Sequence, residues 1–97
     1  MPYVLRRNKK VIEEKIISLS RYLNLEDQTF EGFMNWILYL RKELSIPHTL
    51  KELIQDDSKF EEMSKMAKND PSTGGNPIPL EIKDFYNLYQ DSFSGIL

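Results

Sequence analysis

Few side chains in this sequence are of the kinds that do chemistry, and their spacing limits what they can do. The one histidine, His48, lies between Pro47 and Thr49. An imidazole that binds a metal needs further His, Cys or carboxylate ligands beside it. With no second histidine and no cysteine anywhere, His48 reads as a surface residue next to a helix cap. The lack of cysteine also removes a thiol nucleophile, disulfide staples and Cys-based zinc sites. The carboxylate pairs Glu13-Glu14, Asp56-Asp57 and Glu61-Glu62 have the look of acid/base partners. They fall, however, at expected helix starts, where negative charge complements the helix dipole. No glycine motif followed by Lys-Ser or Lys-Thr is present, and Gly74-Gly75 follows a helix rather than a strand, unlike a dinucleotide-binding loop. On the residues alone there is no catalytic, cofactor-binding or metal-binding set.

One stretch stands apart, Asp70 to Leu80, with three of the five prolines and the only Gly-Gly pair. Proline at 71, 77 and 79 fixes φ and pushes Asp70, Asn76 and Ile78 toward extended backbone, while Gly74 and Gly75 permit positive φ. The expectation is a fixed, non-helical loop between two helices. Such a loop is either a connector or the edge of a site, and its polar members Ser72, Thr73, Gly74, Gly75 and Asn76 are the candidates for the latter.

The elements that would position these residues follow from apolar spacing. Ile12, Ile16, Leu19 and Leu23 predict a helix over Lys10 to Leu23, ended by Asn24. The basic run Arg6, Arg7, Lys9 and Lys10 reads as its solvated start, and Pro2 to Leu5 as an apolar tail that packs on a core. A second helix from about Asp27 to Leu44 carries Phe30, Phe33, Met34, Ile37, Leu40 and Leu44 on one face, widened by Trp36, Leu38 and Tyr39. So apolar a helix is buried on more than one side or faces a partner. Thr49-x-x-Glu52 has capping-box spacing and predicts a short turn with Leu50, Leu53 and Ile54 inward. Ser58-x-x-Glu61 predicts a second box opening a helix to about Asn69, with Phe60, Met63, Met66 and Ala67 apolar. The last helix spans Glu81 to Phe93. The fold class is therefore all-α, about four main helices plus a short turn in one helical domain, 1–97.

Composition excludes several partners. Of 97 residues, 13 are basic and 15 acidic, interspersed, for a net charge of −2, so no field attracts nucleic acid or an anionic membrane. No apolar run reaches membrane-spanning length and no secretory signal is present, which makes the cytoplasm the default location.

Three segments in register resemble the C-terminal end of the iron-containing (group III) alcohol dehydrogenases. Met1-Pro2-Tyr3-Val4-Leu5-Arg6-Arg7-Asn8 looks like that family's Leu-Pro-x-Val-hydrophobic-x-Phe-Asn. Ile46-Pro47-x-Thr49-Leu50-x-Glu52-Leu53 is similar to its Ile-Pro-x-x-Leu-x-Glu-Leu-Gly. Ala67 to Asp70, then Ser72-Thr73-Gly74-Gly75-Asn76-Pro77, resembles its Ala-x-x-Asp, Gly-Asn-Pro-Arg ending. The sequence departs from the family at Ile54, where glycine is usual, at Ile78, where arginine is common, and at Glu81, where Thr or Ser would cap the last helix.

The resemblance implies an NAD(P)-dependent oxidoreductase whose iron or zinc is held by one Asp and three His. None of those ligands is in this sequence, and His48 matches none of them. It also implies that the Gly-Asn-Pro loop approaches a substrate cleft, with Ser72 and Thr73 offering contacts and Gly74, Gly75 and Asn76 shaping the backbone. The expectation is a C-terminal helical fragment, inactive by itself, whose partner is the remainder of a dehydrogenase chain. The alternative is a stand-alone interaction module without catalysis that pairs with itself, through Pro2 to Leu5 and the face around Trp36.

Overall fold

The computed structural model describes all residues, 1–97, and is all-α with no strand. Its elements are α1 (Pro2–Tyr22), α2 (Phe30–Glu43), a first 3-10 turn (Leu50–Glu52), α3 (Phe60–Asn69), a second 3-10 turn (Pro71–Gly75) and α4 (Ile82–Ser94). The chain folds as two compact units, Met1–Ile46 and Pro47–Leu97. No helix is long and apolar enough to cross a membrane.

In the first unit α1 packs on α2. It starts eight residues before the expected Lys10, because proline is pre-organised for the first helical position and needs no N–H partner there. Pro2 and Tyr3 are buried, as a packed tail requires, so they do not form a docking surface, and the basic run lies inside the helix rather than at its start. The core is Tyr3, Ile16, Phe30, Phe33, Met34 and Ile37. Over it the Arg6 guanidinium and the Lys9 ammonium sit 5.6 and 5.2 Å from the Phe30 ring centroid, and both side chains pair with Glu31. Of the two alternatives for α2, burial on more than one side does not hold along its whole length: Leu40, Tyr39 and Leu44 are exposed, the last two by more than half.

Both helices of this unit end in Schellman motifs. Leu25 N–H donates to Ser20 O and Asn24 N–H to Arg21 O, with Asn24 left-handed at φ 54°, as its type predicted. Ile46 N–H donates to Arg41 O and Ser45 N–H to Lys42 O, with Ser45 at φ 57°. Thr29 caps the start of α2, its Oγ1 accepting from Gly32 N–H at 3.0 Å.

In the second unit α3 packs on α4 around Phe60, which is fully buried, with its ring 5.5 Å from Tyr89 and 5.7 Å from Phe93. Leu80 is buried, and Lys68 Nζ donates to its carbonyl at 2.9 Å. The first capping arrangement forms its reach-back bond, Thr49 N–H to Glu52 Oε2 at 3.3 Å, but Leu53 points out at 68% exposure. The second does not form. Asp56 Oδ1 takes both the Ser58 N–H and the Ser58 hydroxyl, a local turn that outcompetes the longer reach to Glu61, and α3 starts after Lys59 without a side-chain cap. Glu81 caps α4 through its backbone, whose N–H donates to Asp84 Oδ2 at 2.9 Å.

Candidate functional site

The Asp70–Asn76 stretch is not the non-helical path expected of it. It closes as a 3-10 turn over Pro71–Gly75, because Pro71 supplies the turn's first φ and Asp70 its cap. Asp70 Oδ1 accepts from Ser72 N–H at 2.8 Å and from the Ser72 hydroxyl at 2.5 Å. Thr73 N–H donates to Asp70 O, Asn76 N–H to Thr73 O, and the Thr73 hydroxyl reaches back to Ala67 O at 2.5 Å, tying the turn to the end of α3. Asn76 Nδ2 donates to Ile78 O at 2.7 Å. Neither Gly74 nor Gly75 has positive φ, and a Cβ on either would meet open space. Their expected conformational role is therefore not used.

Beside this turn lies a hollow of about 490 Å³ lined by Met63, Met66, Ala67, Asp70, Ser72, Thr73 and Tyr89. Of the five loop residues named from the sequence, Ser72 and Thr73 line it, while Gly74, Gly75 and Asn76 do not. Sequence reasoning missed Met63, Met66, Ala67, Asp70 and Tyr89. Three of them carry a signal, since Met63, Ala67 and Asp70 fall at i, i+4 and i+7, one face of α3 running into the turn. Met66, one of the apolar positions of this helix, is 66% exposed, and the hollow is open to water.

The charge in this hollow is that of Asp70. The Ser72 hydroxyl first, and the Ser72 backbone N–H second, hold its carboxyl below the usual carboxylate range. A carboxylate so stabilised is a weak base, and no imidazole or amine stands beside Ser72 to make it a nucleophile. The arrangement can bind; it does not assemble acid, base and nucleophile.

The metal implied by the family resemblance does not fit this chain. No group of three or more His, Cys, Asp or Glu side chains converges, and His48 lies instead beside Gly95 at the other end of the unit. The dinucleotide crevice of a doubly wound sheet is built at strand ends, and this chain has no strand.

No family model matches the sequence. Two relatives do. An NADPH-dependent butanol dehydrogenase of Clostridium saccharobutylicum is 27% identical over 103 aligned residues, covering 98% of this chain and 26% of that protein. The resemblance to the iron-containing alcohol dehydrogenases holds along nearly the whole chain. A choline dehydrogenase of Bacillus subtilis (strain 168) is 28% identical over 97 residues, covering 94% of this chain and 24% of its own length. The chain spans about a quarter of the length of these curated relatives.

Proposed function

We propose that this chain is a helical part of an iron-containing, NAD(P)-dependent alcohol dehydrogenase, and that it turns over no alcohol by itself. One observation carries the reading: two dehydrogenases align with 98% and 94% of the chain while using only about a quarter of their own length. The metal and the dinucleotide belong to the remainder of such an enzyme, and the turn at Pro71–Gly75 with its hollow faces the substrate cleft. A cytoplasmic location is part of this proposal.

The test has two arms. Purified chain with ferrous iron or zinc, n-butanol and NAD or NADP is expected to give no reduced nicotinamide; turnover would overturn the claim of inactivity. A chimera of the clostridial butanol dehydrogenase, in which this chain replaces the matched quarter, is expected to fold and reduce butyraldehyde with NADPH. A chimera that folds, binds metal and NADPH and yet stays inactive counts against the assignment.

A second reading is favoured by the exposed face of α2. Tyr39, Leu40 and Leu44 are 61, 39 and 62% exposed, an apolar surface suited to a second copy of the chain in an interaction module without catalysis. A defined dimer of the isolated chain would support it.

A further inference from the structure

The hollow beside the second 3-10 turn has a rim with a definite polarity. The Ser72 hydroxyl is committed as a donor to Asp70, the Ser72 N–H likewise, and the Thr73 hydroxyl to Ala67 O. What these groups still offer a ligand is therefore lone pairs: on Ser72 Oγ, on Thr73 Oγ1 and on the second carboxylate oxygen of Asp70. No basic side chain neutralises that carboxylate, because Lys68 is engaged with Leu80 O and Glu81. The apolar part of the lining is Met63, Met66 and Ala67, and the two methionines make it adaptable.

A rim whose one charge is a carboxylate, and whose serine and threonine hydroxyls already donate within the turn, discriminates between ligands, the Tyr89 hydroxyl being a further donor in the lining. An anion is repelled. A neutral alcohol brings one donor and no charge, and a quaternary ammonium brings charge and no N–H. A primary ammonium brings three donors and a positive charge on an aliphatic stem. We propose that this hollow binds a small primary alkylammonium ion, its chain on Met63, Met66 and Ala67 and its nitrogen against Asp70, Ser72 and Thr73. The hollow is open to water, and its volume of about 490 Å³ leaves room for a four-carbon ammonium ion. Tyr89, also in the lining, adds a ring for the cation. The inference rests on the lining alone and stands whether or not the chain is part of a dehydrogenase.

The experiment is a 1H–15N correlation titration of the full chain with n-butylammonium chloride, run in parallel with n-butanol and with tetramethylammonium chloride at constant ionic strength. Butylammonium is expected to move the amides of Asp70, Ser72, Thr73 and Tyr89 saturably in the millimolar range, burial of the butyl chain on the two methionines adding to an ion pair open to water, and to bind at least about tenfold tighter than either control. Asp70→Asn, which keeps a capping oxygen for the turn, is expected to weaken binding about tenfold. Met66→Lys, at an exposed position that does not support the core, is expected to abolish it by like charge. Equal shifts with butanol would overturn the proposal. So would unsaturable shifts spread over exposed carboxylates such as Glu13 and Glu61, or full binding by Met66→Lys.

Discussion

Gly95 sits at φ 78°, and a Cβ placed on it would come within 2.9 Å of Thr49 Cγ2. Both the left-handed backbone and the contact oppose any larger residue. Gly95→Ala is therefore expected to destabilise the Pro47–Leu97 unit by about 1–2 kcal/mol, read as a lower urea midpoint at unchanged slope. Gly74→Ala is expected to do the opposite: with ordinary φ and open space around it, alanine narrows the unfolded ensemble and adds about 0.4–1 kcal/mol. The contrast shows what residue types reveal. Gly74 and Gly75 attract attention because they are paired among prolines, whereas Gly95 near the chain's end carries the structural demand. Residue type reports which backbone angles are permitted; which glycine must use them is set by the carbonyls to be capped, here Asp91 O, which accepts from the N–H groups of both Gly95 and Ile96. The site residues divide in the same way. Ser72 and Thr73 are legible as hydroxyls in a loop, but Tyr89 enters the hollow only because α4 returns past α3, a long-range fact that no local spacing contains.

At the scale of elements, helix ends and helix pairs are the testable parts. Ser45 takes a left-handed conformation that a glycine would occupy without strain, so Ser45→Gly is expected to stabilise α2 by about 0.5–1 kcal/mol. A rise in thermal midpoint followed by helical ellipticity checks it. The α1–α2 pair responds to pH through Glu31. The bidentate Arg6 guanidinium first, and the charges of Arg6 and Lys9 after it, hold this carboxyl below its ordinary value. A depressed folded-state pKa adds stability above the unfolded value near ~4.3, and that stability is lost as pH falls through the lower folded value. Because Glu31 is half exposed, the effect is expected to be a few tenths of a kcal/mol, shrinking in salt. In Glu31→Gln the acid limb attributable to this residue should disappear from a stability-versus-pH curve; an unaltered limb would mean the pair contributes nothing. Four helices, their order and the left-handed turn at Asn24 were legible from apolar spacing and residue type. The early start of α1 was not, because Pro2 to Leu5 reads as an apolar tail until Pro2 is recognised as a first helical residue. The second capping box was misread for a related reason: Ser58 has a nearer partner in Asp56 than in Glu61.

For the molecule as a whole, the outstanding feature is apolar surface in both units: Tyr39, Leu44 and Ile46 in one, Leu53, Met66 and Ile96 in the other, each more than two-fifths exposed. Scattered singly, exposed apolar residues are ordinary. Tyr39, Leu40 and Leu44, however, gather at the C-terminal end of α2, and apolar surface gathered in one place draws either a partner or another copy. Both readings of function need this surface covered, by the rest of a dehydrogenase in one and by self-association in the other. They separate in solution. If a second copy covers α2, the sedimentation mass should exceed the 11.5 kDa of one chain at tens of micromolar, and Tyr39→Lys with Leu44→Glu should return it to that value. If the rest of an enzyme is what α2 lacks, the chain should bind an apolar dye, associate without a defined stoichiometry, and lose both properties within the butanol dehydrogenase chimera. A monomer that binds no dye would show that this patch is neither kind of interface, and would leave the turn at Pro71–Gly75, proposed above to face a substrate cleft, as the part to test for a contribution to function.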